Sequence, residues 1–109
     1  MDIGFGTPEY EEICKTERVA TRKLGAPCAK KLKTRLAEIQ AASVVTDLIV
    51  GGPHALDRER TGQFAVSLLG LVRLTFVPAN SPIPIIDGKI DWSKVNKVII
   101  VYIGNYHDY

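Results

Sequence analysis

Apolar and polar positions change their period along this chain, and each change marks an element. Residues 2–6 alternate around Ile3 and Phe5, which predicts a short strand. Thr7-Pro8-Glu9 then reads as a helix start, with Thr7 as N-cap and Pro8 at the first helical position. Glu9, Glu11 and Glu12 sit near the positive end of that helix. The predicted helix runs to about Lys23, and Gly25-Ala26-Pro27 breaks it. A second helix follows over residues 27–42. On a 3.6-residue wheel Cys28, Leu32, Leu36 and Ile39 form one stripe, while Lys30, Lys33, Thr34 and Glu38 lie away from it. The short connection makes the two helices a hairpin. Thr46-Asp47-Leu48-Ile49 adds at most a turn, and Gly51-Gly52-Pro53 ends the regular pattern.

From Gln63 onward the period moves from 3.6 toward 2. Residues 63–69 and 71–77, joined through Gly70 and rich in Val, Leu and Phe, predict a β-hairpin. Ala79-Asn80-Ser81-Pro82-Ile83-Pro84 is no central strand, because its prolines lack donors. Asp87-Gly88 marks a turn, residues 90–93 an ordered loop, and residues 95–103 a strand apolar on both alternations, which places it inside a sheet. The order β-α-α-β-β-β implies an α+β domain with a helical hairpin on one face of a mainly antiparallel sheet.

Composition narrows the class. A chain of 109 residues with 46% hydrophobic content supports a single domain, residues 1–109, with one modest core. No apolar run nears the roughly 18 to 20 residues that cross a bilayer. Met1-Asp2-Ile3-Gly4-Phe5 lacks the basic-then-apolar order of an export signal, so a cytoplasmic protein without a membrane partner is expected. Cys14 and Cys28, fourteen residues apart, suit no zinc motif, and neither a metal nor a cofactor is expected. They read as buried or half-buried small apolar residues.

Charge is more informative. The net value is only +2, yet residues 15–35 carry eight basic residues against the single acid Glu17. Arg22, Lys23, Lys30 and Lys33 in that segment make a field that attracts phosphates or an acidic partner. The plain alternative is a solvated helix face.

Side chains able to move protons are few. His54 follows the Gly-Gly-Pro turn and opens a loop; His107 follows the last strand, beside Asn105 and Tyr106. Arg73 interrupts the apolar strand segment Val72-Arg73-Leu74-Thr75-Phe76, where a guanidinium must pair with an anion, face a cleft or turn to solvent. Arg58 and Arg60 lie in the loop LDRERTG. Singly, each has an ordinary structural explanation.

Together they resemble a known family. Pro53-His54-Ala55-Leu56, then Thr61-Gly62-Gln63-Phe64-Ala65-Val66, then Val72-Arg73-Leu74-Thr75-Phe76, ending Ile103-Gly104-Asn105-Tyr106-His107, looks like the HigB branch of the RelE/ParE toxin superfamily. The basic segment APCAKKLKTRLAEIQ and the insert PANSPIPIIDGKIDWSKV are similar to a longer HigB-like subgroup. The resemblance implies a RelE-like fold and the toxin of a type II toxin–antitoxin system. Its activity would be ribosome-dependent, metal-independent cleavage of messenger RNA, silenced by a HigA-like helix-turn-helix antitoxin. Carried over by position, His54, Arg73, Tyr106 and His107 are the implied catalytic residues. Asn105, Arg58 and Arg60 position substrate, and Arg22, Lys23, Lys30 and Lys33 hold ribosomal RNA. The chain departs from the family pattern at Asn105, where an acid is usual, and at Asp57 and Thr61, where basic residues are usual.

The chemistry suits those groups. Cleavage of RNA without a metal needs a base for the 2′-hydroxyl, a cation for the charged transition state and an acid for the departing 5′-oxygen. Histidine serves either proton-transfer role near neutral pH, and arginine grips phosphate in two-point geometry. Two rivals remain: a ParE-like protein that inhibits gyrase, and an inactive toxin-like module that only binds its antitoxin.

Overall fold

The computed structural model describes residues 1–58 and 60–105. Strand β1 (Asp2–Phe5) is followed by helices α1 (Pro8–Lys15), α2 (Glu17–Leu24) and α3 (Ala26–Ala41), and a 3-10 turn at Val45–Asp47. Then come β2 (His54–Ala55), β3 (Phe64–Ser67), β4 (Arg73–Pro78), the small hairpin β5 (Ile85–Ile86) and β6 (Lys89–Ile90), a 3-10 turn at Trp92–Lys94, and β7 (Lys97–Gly104). The main sheet has the order β1-β7-β4-β3-β2, in which β1 runs parallel to β7 and every other pair is antiparallel. This is the α+β architecture expected, with the last strand interior to the sheet.

The N-terminal half keeps the predicted helix start. Thr7 caps α1 by accepting the Tyr10 amide at 3.2 Å, and Pro8 occupies the first turn. The first helix, however, is two. Thr16 is extended (φ −122°, ψ 107°) and separates α1 from α2. On an unbroken helix Val19 would stand about 120° around from Ile13. The break brings Ile13, Val19 and Ala20 into one core. Gly25, at φ 84°, joins α2 to α3, and the two helices pack together as a hairpin. Along α3, Cys28, Leu32 and Ile39 are buried and Leu36 half-buried, as the stripe predicts. Arg35 belongs to that buried side as well, so the basic segment presents one cation fewer than its composition suggests.

Two corrections concern strands. His54 lies on the edge strand β2 rather than in a loop, paired through Ala65 of β3. The insert forms its own hairpin, Ile85 opposite Ile90, around an Asp87-Gly88 turn whose residues both have positive φ (52° and 76°). Asn80 pins the insert back to the sheet: its Oδ1 accepts the Asn96 and Lys97 amides, both at 3.2 Å, and its Nδ2 donates to Asn96 Oδ1 at 3.0 Å.

The core lies between the helices and one face of the sheet. From the sheet it takes Phe64, Val66, Leu74, Phe76, Val98, Ile100 and Ile103. The change from even to odd core positions in β7 comes from a bulge. Thr75 pairs with Tyr102 but Phe76 pairs with Ile100, leaving Val101 as the extra residue. Past it, Ile103 turns inward while Tyr102 and Gly104 point to the opposite face.

Candidate functional site

The face of the sheet away from the helices collects the polar side chains. Residues directly opposite on antiparallel strands share a face, as do residues two apart on one strand. His54, Ala65, Thr75 and Tyr102 therefore form one row across β2, β3, β4 and β7, and Ser67, Arg73 and Gly104 form the next. At about 4.8 Å per strand, the backbones of His54 and Tyr102 are about 14 Å apart, and His54 and Arg73 about 12 Å. The sheet thus presents His54 and Arg73 on the same face without contact between them.

His54 is exposed, with Nδ1 2.8 Å from the Gly52 carbonyl oxygen. A carbonyl only accepts, so Nδ1 is the donor in this bond. Arg73 is half-buried; its Nη1 donates to the carbonyls of Gly70 (2.9 Å) and Val72 (3.2 Å), which folds the guanidinium onto the β3–β4 turn. Among the described residues no carboxylate pairs with this guanidinium. Asn105, half-buried, follows Gly104, the residue opposite Arg73 in the β4–β7 register. Tyr106 and His107 lie outside the described residues.

The loop between β2 and β3 folds over the middle of this face. Gln63 Oε1 accepts the Thr75 hydroxyl at 2.8 Å, which leaves Thr75 fully buried although it points away from the helices. Arg60 lays its guanidinium over the Tyr102 ring, 4.1 Å from the centroid. Tyr10 of α1 completes the cluster. Burial, then Glu9 and Tyr102, push its phenol above the ordinary value of 10.0, partly offset by Arg60 and by a hydrogen bond from the Ile103 backbone. Arg58 is exposed, and its carbonyl accepts both the hydroxyl (2.6 Å) and the amide (3.2 Å) of Thr61, which fixes the loop. Sequence reasoning named Arg58 and Arg60 but missed Tyr10, Gln63, Thr75 and Tyr102. Tyr102 carried a usable signal, as a polar-tipped residue inside an apolar strand.

Arg22, Lys23, Lys30 and Lys33 are all exposed. Arg22 and Lys23 also occupy the last turn of α2, where cations complement the helix dipole. Lys33 borders a groove between β1 and α3 whose other nearby amine, Lys15, is paired with Glu11 at 2.9 Å. Among the described residues no three His, Cys, Asp or Glu side chains are grouped as metal ligands, and no helix is long and apolar enough to cross a membrane.

No family model matches the chain, and no curated protein does. Solved structures do. The YoeB-YefM complex from Staphylococcus aureus contains a chain that matches with a TM-score of 0.59 at 15% identity, over 95% of this chain and 94% of that one. The YoeB dimer from the same organism matches with a TM-score of 0.57, again at 15% identity and over the same shares. The chain therefore has the RelE/YoeB toxin fold.

Proposed function

We propose that this protein is the toxin of a type II toxin–antitoxin pair and an endoribonuclease of the HigB kind that cuts messenger RNA on the ribosome. The observation that carries the reading is the shared sheet face. It presents an exposed imidazole whose Nδ1 is tied to the Gly52 carbonyl, and an arginine whose partners among the described residues are backbone carbonyls. The likeness to YoeB supports the fold on which such a face would work.

In this mechanism one histidine, His54 or His107, removes the 2′-hydroxyl proton, and the oxygen attacks the adjacent phosphorus. The bond from phosphorus to the 5′-oxygen breaks, and the other histidine protonates the departing oxygen. Arg73 leaves its backbone acceptors for the phosphate, where its charge acts against the developing negative charge. The exchange exploits weak ties, since a guanidinium gains more from phosphate than from two carbonyls. Tyr106 and Asn105 position the nucleotide, as do Arg58 and Arg60. The exposed helix amines Arg22, Lys23, Lys30 and Lys33 add sequence-independent contacts to ribosomal RNA. The partner that silences the protein is a HigA-like helix-turn-helix antitoxin.

The test is expression in a bacterial host with mapping of messenger ends. Wild type should arrest growth and cut messenger, while His54→Ala, Arg73→Ala and His107→Ala should fold and do neither. Variants that arrest growth as wild type does remove those residues from the mechanism. DNA breaks in place of messenger cuts would assign the protein to gyrase inhibition. Tight antitoxin binding with no effect on translation would make it a binding module.

A further inference from the structure

Across the β2 edge from His54 lies a cleft of about 530 Å³, lined by Ala55, Asp57 and Gly62 on one side and by Ile85, Ile90 and Trp92 of the insert on the other. Its size falls within the range of small-molecule sites. Its back wall is rigid. Trp92 is wedged against Phe64 (ring centroids 5.0 Å apart) and Phe76 (6.3 Å), so its orientation is set by the core and its remaining surface faces the cleft. The opposite wall is held by the Thr61 bonds to Arg58. Gly62 takes a positive φ of 90° in this wall, and a Cβ added there would meet Ile90 Cδ1 at an ordinary contact distance of 4.0 Å. At the mouth, exposed Asp57 and Lys89 offer an acceptor and a donor of opposite sign.

We infer that this cleft, formed by Trp92 with the Ile85–Ile90 hairpin, holds an unpaired nucleobase of the RNA whose backbone crosses the His54 face. The inference rests on the ribonuclease reading above. An aromatic wall flanked by isoleucine methyl groups suits a planar ring, and stacking of this kind tolerates any base. Asp57 and Lys89 address the base edge, and Lys89 also reaches an adjoining phosphate. An apolar peptide side chain would gain nothing from that opposed pair of charges. Because the walls are preformed, binding costs little ordering. The cleft adjoins β2 and the loop carrying Arg58 and Arg60, so one strand of RNA can occupy both sites. The insert would then set where the messenger is held relative to the cut.

Trp92 is the only tryptophan, so its emission reports on the cleft directly. The probe is a fully 2′-O-methylated RNA hexamer, which binds but lacks the attacking hydroxyl. It should quench Trp92 saturably, and the double variant Ile85→Ala/Lys89→Ala, changed only at exposed positions, should raise Kd at least tenfold with an unaltered circular dichroism spectrum. Arg73→Ala should still show the quench. An unchanged Trp92 emission overturns the cleft as a base site, whether or not the wild-type protein cuts messenger. So does equal affinity in the double variant, or emission that responds to an antitoxin peptide and not to RNA. Quenching as expected in a protein that cuts no messenger would remove the nuclease reading and leave the RNA site standing.

Discussion

Replacing Arg35 by alanine should destabilise the protein by about 3 kcal/mol, although the change sits in a run of surface cations. Arg35 is 7% exposed. Its Nε donates to the Ser67 carbonyl at 2.9 Å and its Nη1 meets Glu38 Oε1 at 2.9 Å. The Glu38 side chain is 34% exposed, so that half of the interaction is screened and contributes roughly 1 kcal/mol or less. Leaving the Ser67 carbonyl without its donor costs about 1–3 kcal/mol. Exposing or losing the buried methylene stem costs about 0.8 kcal/mol per CH₂. Relief from holding a charge in the interior offsets part of this, which brings the sum to about 3 kcal/mol. Urea unfolding followed by Trp92 emission measures it: the midpoint should fall with an unchanged slope. Arg35→Lys keeps stem and charge but loses the fork, and should cost about half as much.

The same site explains Gly51. A Cβ there would lie 2.5 Å from Arg35 Nε, at a backbone φ of 89°. Gly51→Ala should therefore be costly in the wild type and less so beside Arg35→Ala, where the clash is gone and only backbone strain remains. Ser67 N donates to the Gly51 carbonyl at 2.8 Å, so this contact ties the C-terminal half of α3 to the approach to His54. Arg35→Ala unfolding within 1 kcal/mol of wild type, or strict additivity with Gly51→Ala, would refute the assignment.

Burial raises the Cys14 thiol from 9.0 to about 12, so the folded state holds a proton that the unfolded chain releases first. Its contribution to stability is intact below about pH 9 and is lost as pH rises toward 12. Cys14→Ala should flatten that alkaline decline in a pH series of melts. Asn80→Ala removes the contacts that hold the insert to the start of β7 and should cost about 1–3 kcal/mol by urea melt; a smaller loss would mean that water replaces them. Lys30→Glu/Lys33→Glu should leave the melt unchanged, since both side chains are exposed, and should weaken ribosome binding most at low salt; a salt-independent loss would rule out phosphate contacts.

What the sequence disclosed and what it withheld divide along the reach of the forces involved. The α3 stripe, the Thr7 cap and the Asp87-Gly88 turn depend on neighbours within a few residues, and all were legible. Arg35 looked like one more surface cation because its acceptor, the Ser67 carbonyl, lies 32 residues away. The two-residue β2 has no period to detect, and exists because β3 offers it a partner. Thr16 breaks the first helix for the sake of a core that no local pattern records.

The last strand shows how much function hangs on such a detail. Its apolar run on both alternations placed it inside the sheet, where it lies between β1 and β4. The run also contains a change of phase: Val98 and Ile100 face the helices, Val101 is the bulged residue, and Ile103 resumes the core from the odd register. Without the bulge, Tyr102 and Gly104 would point into the core and the chain past Gly104 would leave the sheet one position out of step with Arg73. A one-residue slip exchanges the faces of everything after it. The bulge therefore puts Tyr102 under Arg60 and Gly104 opposite Arg73, and with them sets the direction in which Asn105 departs. The site's residue types were readable from the sequence, but their common face is a property of this register.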